Sequence, residues 1–165
     1  MNKILIFTIF ISTICFSQEK FNGLTFTISD DMSKLTYEEK RIKFSASGQI
    51  PDLVFSNKIN NANIAFKKTF IPLQKNKLED IKKTLVRQFT SINLKILENK
   101  IININGKNFT YVKVIMPTIE GNVISINLTT DIKEKMTMIT ISYLESLVVW
   151  EQNAQKFIES IKYVN

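Results

Sequence analysis

Residues 135–162, KMTMITISYLESLVVWEQNAQKFIESIK, decide the fold expected for this chain. In the first part of the stretch, Ile139, Ile141 and Tyr143 alternate with polar residues. Side chains of a strand point to opposite faces in turn, so this alternation is typical of a strand with one buried face. We therefore predict a strand over residues 136–144 that packs its apolar side against other elements.

The second part of the stretch has a different period. Apolar residues recur there at steps of three and four, at Leu147, Trp150, Ala154, Phe157, Ile158 and Ile161. In a helix, residues at this spacing form one stripe, while the charged and amide side chains take the other side. We predict that a helix over residues 146–162 follows the strand directly and that its stripe covers a sheet.

Length and composition suit one folded domain. The chain has 165 residues, 44% of them hydrophobic, with only 4 Gly and 3 Pro, so disorder is expected mainly in loops and at the ends. The formal net charge is +7, yet Arg41 and Arg87 are the only arginines among 22 basic residues. Because phosphate recognition favours the bidentate fork of arginine, the composition argues against a nucleic-acid partner.

The first 17 residues are predicted to be a secretory signal peptide. Lys3 precedes an apolar run over residues 4–16, and Ser17 is a small residue at the natural cleavage point. The run is too short to span a bilayer comfortably. We therefore expect a periplasmic or extracellular protein, cleaved near Ser17, whose mature part is a single domain over residues 18–165.

Removal of that segment would limit the available chemistry. Cys15 is the only cysteine and the chain has no histidine, so a mature zinc site, a Ser-His-Asp triad or a thiolate nucleophile could not be built. We expect no catalytic residues, no metal and no cofactor. Lipid attachment at Cys15 is disfavoured, because Ile14 stands where lipid-attachment sites carry a small residue.

Alternating apolar and polar residues predict further strands upstream. The predicted strands are Leu24–Ile28, residues 40–47 and residues 63–71. The first is expected to end in a turn at Asp30 and Asp31, because aspartate caps turns and nothing nearby supplies further metal ligands. In the second, Ile42 and Phe44 share one side, and in the third, Phe70 is expected to face the core.

Residues 47–61 interrupt the strand pattern but keep an apolar cluster, Leu53, Val54 and Phe55. A loop that keeps such side chains is either folded over the core or presented to a partner. The segment could also hold a short edge strand. We take Leu53, Val54 and Phe55 as candidate binding residues, together with the Thr/Ser/Lys face of an open sheet.

The centre of the chain predicts a helix and then a run of antiparallel strands. Residues 77–92 have apolar positions at helical spacing, with Glu79 and Asp80 in the first turn. Asn105 and Gly106 both tolerate positive φ and predict a two-residue hairpin turn. The fold class expected is α+β, with a single antiparallel sheet of about six to seven strands packed with two main helices and partly facing water.

This order of elements resembles the PsbP/Mog-like proteins and the related bacterial DcrB-type domains. The resemblance rests on the strand at Leu24–Ile28, the helix at 78–89, the hairpin at 105–106 and the closing FIESIK at 157–162. It covers residues 20–163. It implies a sandwich of antiparallel sheet and helices that serves as a binding or accessory module rather than as an enzyme, and it transfers no functional residue by position.

Three functional hypotheses remain open at this stage. The first is a non-catalytic binding module that docks to a protein of the cell envelope. The second is a carrier of an apolar small molecule or lipid, held between sheet and helices and lined by some of the 12 Phe. The third is an immunity-type protein that neutralises a partner.

Overall fold

The computed structural model describes residues 17–45, 48–59, 61–74 and 77–164. Within these residues the chain forms ten strands and three helices. In chain order they are β1 (Ser17–Phe21), β2 (Leu24–Ile28), β3 (Met32–Lys34), α1 (Tyr37–Phe44), β4 (Leu53–Asn57), β5 (Ala62–Pro72), α2 (Leu78–Ser91), β6 (Lys95–Ile104), β7 (Lys107–Thr118), β8 (Gly121–Ile132), β9 (Lys135–Leu144), α3 (Val148–Ser160) and β10 (Lys162–Tyr163).

The strands form two sheets. One has seven strands in the order β3-β4-β5-β9-β8-β7-β6, and the other has three in the order β1-β2-β10. All described pairings are antiparallel. The α+β class is confirmed, but the prediction of a single sheet is wrong. After α3 the chain turns back so that Lys162 pairs with Thr25 and Tyr163 with Leu24, which takes β2 out of the large sheet.

The strand and helix predicted over residues 135–162 are confirmed as β9 and α3. In β9, Ile139, Ile141 and Tyr143 are buried with at most 2% exposure, and the strand lies between β5 and β8 at the centre of the large sheet. The stripe of α3 is also buried, at Trp150, Ala154, Phe157, Ile158 and Ile161.

The main core lies between the large sheet on one side and α3 with the small sheet on the other. Aromatic rings fill its centre. Phe26 of β2 stacks on Phe66 of β5 with ring centroids 4.5 Å apart, and Phe157 of α3 contacts both rings edge-on at 5.7 and 6.1 Å. Phe55 of β4 completes the cluster, 6.1 Å from Phe26.

The opposite face of the large sheet carries the other two helices. The helix predicted over residues 77–92 is confirmed as α2, which packs on β6, β7 and β8 and buries Leu78. In contrast, α1 buries no side chain completely. Its lysines attach it to the sheet by hydrogen bonds instead, with Lys40 Nζ 2.6 Å from the Asp52 carbonyl oxygen and Lys43 Nζ 3.2 Å from Ser56 Oγ.

The strand predicted over residues 40–47 is wrong, because α1 covers most of that segment. Thr36 and Glu39 form a capping box that starts the helix. The Glu39 amide donates to Thr36 Oγ1 at 3.3 Å, and the Thr36 amide donates to Glu39 Oε2 at 2.7 Å, which lowers the pKa of Glu39. The alternation has no sheet to face, since Ile42 is 75% exposed. Residues 46 and 47 lie outside the described residues.

The other predictions for the chain before α2 have mixed outcomes. The turn at Asp30 and Asp31 is confirmed between β2 and β3. The strand over residues 63–71 is confirmed as β5, but Phe70 is 89% exposed, because the pairing with β9 shifts register between Lys68 and Pro72. The predicted signal peptide, including Cys15, lies outside the described residues apart from its last one, Ser17.

The predicted hairpin at Asn105 and Gly106 is confirmed, with φ angles of 47° and 86°. It joins β6 to β7, and the meander β6–β9 lies between α2 and α3. Asn105 also donates from Nδ2 to the Ile161 carbonyl oxygen at 2.7 Å. The turn therefore ties one end of the meander to the segment that follows α3.

Candidate docking surface

The predicted binding residues Leu53, Val54 and Phe55 do not form an exposed lip. They lie in β4, which is an interior strand because β3 pairs on its outer side. Their exposures are 7%, 0% and 3%. Leu53 and Phe55 belong to the core cluster. The prediction that these three residues form a docking surface is therefore corrected, because their side chains are buried inside the protein.

The Thr/Ser/Lys face of the large sheet is also less open than expected. Ser125 and Thr129 are 4% and 1% exposed. In the gap between the helices, Thr140 Oγ1 donates to Asn127 Oδ1 at 3.3 Å, and Asn127 Nδ2 donates to Ser125 Oγ at 3.2 Å. The Ser125, Asn127 and Thr140 side chains are therefore hydrogen-bonded to one another within the sheet. Beside them, desolvation lowers the pKa of Lys43.

A different set of side chains is both apolar and exposed. Ile59, Ile119, Val148 and Val149 are 72%, 104%, 76% and 68% exposed, and we call them the apolar rim. Ile59 lies in the β4–β5 connection, Ile119 in the β7–β8 connection, and Val148 and Val149 in the first turn of α3. Single exposed apolar residues are ordinary, but several at one edge are typical of an interaction surface.

Strand pairing brings these three connections to the same end of the large sheet. The Leu144 amide at the end of β9 donates to the Asn61 carbonyl oxygen in the β4–β5 connection at 3.1 Å. One residue on, the Glu145 amide donates to the Asn122 carbonyl oxygen of β8 at 2.8 Å. A side-chain bond of 2.8 Å from Asn122 Nδ2 to Glu145 Oε2 supports the second junction. Neighbouring strands lie only about 4.8 Å apart, so the three connections lie side by side at this end of the sheet.

The start of α3 is locally unfavourable as well as apolar. Its N-cap residue is Leu147, which makes no side-chain capping bond. The next two residues, Val148 and Val149, are β-branched, and such residues are weaker helix formers than leucine or alanine. Neither valine packs on the protein's own core. A partner that covers them would account for their presence, because side chains with no use in the folded chain often serve a site.

The sequence contained a weak signal for the apolar rim. Val148 and Val149 lie off the stripe that predicts the buried face of α3, and Ile119 lies between Pro117 and Gly121, two residues typical of turns. Ile59 is the apolar residue of an asparagine-rich segment. Each is an apolar residue where the local pattern calls for a polar one, but only the sheet order shows that they lie at the same end of the sheet.

A second feature is a cleft of about 450 Å³ between α3 and the β2–β3 region. Its apolar wall consists of Met32, Ile64, Trp150 and Phe157, and its mouth is polar. The mouth includes Ser160, whose Oγ accepts a 2.9 Å hydrogen bond from the Thr27 amide. The cleft is within the usual size range for small-molecule sites, while the aromatic core beside it is filled.

Titratable groups meet at the other side of α3. Glu151 accepts hydrogen bonds from the Tyr143 hydroxyl and from Lys113 Nζ, the latter at 2.7 Å. Burial opposes ionisation of Glu151, but these two bonds and the Lys113 charge outweigh it and lower its pKa. Burial raises the pKa of Tyr143 and raises that of Tyr111 to about 12. The cluster fastens α3 to β7 and β9.

The described part of the chain contains neither a cluster of metal ligands nor a helix suited to cross a membrane. Across residues 17–45, 48–59, 61–74 and 77–164, no group of three or more Asp, Glu, His or Cys side chains is placed to hold a metal ion. Of the helices formed there, none has the length and apolar character needed to cross a bilayer.

Comparison with known proteins identifies a similar fold but does not assign the chain to a family. No protein-family model matches the chain, and no curated protein matches it. The solution structure of a cyanobacterial PsbP (CyanoP) from Synechocystis sp. PCC 6803 is similar, with a TM-score of 0.62 over 93% of this chain and 95% of that one, at 9% identity. The chain therefore has a PsbP-like fold.

A crystal structure from Bacteroides thetaiotaomicron VPI-5482 is also similar. Its TM-score is 0.55 at 10% identity, and the alignment covers 87% of this chain but only 46% of the longer protein. The expected resemblance to PsbP-like proteins is thus supported at the level of fold. Sequence identities this low transfer no activity, ligand or partner, because one fold carries many functions.

Proposed function

We propose that this chain is an exported, non-catalytic binding module that docks to a protein of the cell envelope through the apolar rim. The observation that carries the proposal is the exposure of Ile59, Ile119, Val148 and Val149 at one end of the large sheet. Loops at the end of a rigid sheet are common binding elements, because the sheet fixes their positions while their side chains stay accessible.

The apolar rim offers four exposed aliphatic side chains that a partner could bury. Burial of one such aliphatic side chain contributes roughly 1.5–3 kcal/mol before the entropic costs of association. Asn122 and Glu145 lie beside the apolar side chains and are already bonded to each other. This arrangement of an apolar centre with polar neighbours is common in protein interfaces. An immunity-type protein would use the same kind of surface to hold its target.

Two further parts of the proposal rest on the sequence. Export follows from the predicted signal peptide over residues 1–17. We propose a non-catalytic role because the chain has no histidine and has Cys15 as its only cysteine, and because its clustered titratable groups have a structural role. In the Tyr143–Glu151–Lys113 cluster, the hydrogen bonds to Glu151 hold α3 against the sheet. This structural role explains the cluster without a substrate.

The test is affinity capture of the tagged, exported chain from envelope fractions. The rim variant is Ile59→Ser, Ile119→Ser, Val148→Thr, Val149→Thr. A matched control variant, Ile42→Ser with Ile92→Ser, removes side chains that are 75% and 64% exposed elsewhere on the surface. We expect one envelope protein to be captured by the unmodified chain and by the control, and to be lost with the rim variant. Equal capture by all three would reject the apolar rim as the docking surface.

A second candidate function is a carrier of a small apolar molecule, which the cleft beside Trp150 and Phe157 favours. Its volume of about 450 Å³ suits a small ligand better than a lipid with long acyl chains. Native mass spectrometry of the exported chain tests this function. A retained mass that is lost on Trp150→Ala, in a variant that stays folded, would support it, and a bare mass would count against it.

A further inference from the structure

The end of β5 carries apolar side chains that leave the sheet. Phe70 and Ile71 are 89% and 57% exposed. They lie where the pairing with β9 shifts register, between Lys68 and Pro72, so neither joins the alternating pattern of the strand. An exposed phenylalanine at a strand end has no packing role in the folded chain. Its ring is available to an apolar environment outside the protein.

Three lysines lie near Phe70 and Ile71, and two of them are distant from these residues in sequence. Lys68, Lys133 and Lys135 are exposed, and Lys135 Nζ lies 5.9 Å from the centroid of the Phe70 ring. None of the three forms an ion pair within the described part of the chain. Glu134 shares the β8–β9 turn and offsets one charge, and Asp52, which accepts from the Lys68 amide at 2.7 Å, offsets the charge of Lys67. The excess is positive, as it is for the chain as a whole.

The turn that presents these lysines is strained. Lys133 and Glu134 have φ angles of 50° and 61°, in the left-handed region that side chains other than glycine and asparagine seldom adopt. The same chain uses Asn followed by Gly at two other two-residue hairpin turns, Asn22–Gly23 and Asn105–Gly106, with φ angles of 47° and 80° and of 47° and 86°. An unfavourable turn residue where a better one is available points to a use for its side chain.

We propose that this end of the molecule, which we call the Phe–Lys end, binds a bilayer surface that carries anionic lipids. Phe70 and Ile71 would enter the interface between headgroups and acyl chains, and Lys68, Lys133 and Lys135 would contact lipid phosphates. Aromatic rings favour that interface, and lysines near an anionic surface add attraction that salt screens. The combination of a projecting aromatic ring with unpaired lysines favours a surface over a free anion, which would not need the ring.

This surface is separate from the apolar rim. β9 begins with Lys135 at the Phe–Lys end and finishes with Leu144 beside the Ile59 and Ile119 connections. A strand of this length spans roughly 30 Å at about 3.3 Å per residue. The two surfaces therefore lie at opposite ends of the large sheet, and a chain bound to lipid at one end would keep the other free for a protein partner.

The experiment is co-sedimentation of the purified exported chain, without residues 1–17, with vesicles at low salt. One set is phosphatidylcholine, and the other is an equimolar mixture of phosphatidylcholine and phosphatidylglycerol. The variants are Phe70→Ser with Ile71→Ser, and Lys133→Gln with Lys135→Gln. Lys83→Gln with Lys156→Gln removes the same charge from exposed positions elsewhere. Circular dichroism confirms folding, which these exposed substitutions should not disturb.

We expect binding to the anionic vesicles only, weakened roughly tenfold or more by loss of Lys133 and Lys135. The Phe70 and Ile71 variant should also bind more weakly, and the Lys83 and Lys156 variant should lose much less. Equal binding to both kinds of vesicle would overturn the proposal, as would equal losses in the two lysine variants. Full retention by the Phe70 and Ile71 variant, with release by free glycerol phosphate, would show an anion site without a surface and would overturn it too.

Discussion

The ring of Phe26 in β2 stacks on the ring of Phe66 in β5, with centroids 4.5 Å apart and planes 23° from parallel. The two residues belong to different sheets, and both side chains are at most 1% exposed. This stack, with Phe157 of α3 against both rings, is where the small sheet, the large sheet and the last helix meet.

Truncation of this stack should destabilise the whole fold. We expect Phe66→Ala to lower the free energy of unfolding by about 3–5 kcal/mol, because a buried ring is lost and a cavity remains. Urea denaturation followed by circular dichroism measures the change. Phe70→Ala, at an exposed position of the same strand, should change stability by less than about 0.5 kcal/mol. Similar losses in the two variants would contradict the assignment of Phe66 to the core.

Two buried hydroxyls should be dispensable. Among the described residues, the Oγ1 atoms of Thr110 and Thr129 are buried without a hydrogen-bond partner, and the two residues face each other across β7 and β8. Thr110→Val and Thr129→Val should each raise the free energy of unfolding by about 1 kcal/mol, because an unpaired polar group leaves the interior. The control is Thr130→Val, whose Oγ1 donates to the Asn108 carbonyl oxygen at 2.8 Å and which should destabilise. A loss of stability in all three variants would contradict the prediction.

The attachment of α3 through Glu151 should depend on pH. The pKa of Glu151 is lowered from its ordinary 4.5, so its contribution is present above about pH 4.5 and is lost as the pH falls through the lower, folded-state pKa. Glu151→Gln should cost about 1 kcal/mol at neutral pH, a modest figure because the carboxylate is partly exposed.

Denaturation of this variant and the unmodified chain across the acid range checks the sign. The stability difference should be constant near neutrality and shrink below pH 4.5, the ordinary pKa. Glu159→Gln, whose carboxylate bonds only to Gln155 at an exposed site among the described contacts, should show little effect. A difference that grows on acidification would rule out the Tyr143–Glu151–Lys113 attachment.

The capping box should decide the stability of α1. Thr36→Ala removes the side chain that accepts from the Glu39 amide, and such a loss costs about 1 kcal/mol. Because α1 buries no side chain completely, we expect local fraying, seen as faster hydrogen exchange over residues 37–44. Ser33→Ala, at an exposed position of β3, serves as control. Unchanged exchange with Thr36→Ala would argue against the helix.

Local sequence pattern predicted the elements that carry strong periodicity. Three patterns were each sufficient to predict their element: the alternation in β9, the stripe of α3, and Asn105 with Gly106 in the turn. Burial of one face produces the first two patterns directly, and the need for positive φ produces the third. The alternation at Ile42 and Phe44 misled because the stronger local signal was the cap at Thr36, where Glu39 satisfies the free amides at the start of a helix.

The candidate surfaces could not be predicted in the same way. Leu53, Val54 and Phe55 looked accessible because the pairing of β3 outside β4 is a long-range contact with no local signature. The apolar rim and the Phe–Lys end have the same origin. The Ile59 and Ile119 connections share one end of the sheet, and Lys135 lies near Phe70, only through the pairing of β5, β9 and β8.

The sequence by itself therefore determined the α+β class, the central strand and the helix that covers it, because hydrophobic periodicity is a local consequence of which face is buried. The tertiary structure decided the division into two sheets and the side chains left exposed at either end of β9. Those features depend on which strands pair, and pairing is set by contacts between residues far apart in the chain.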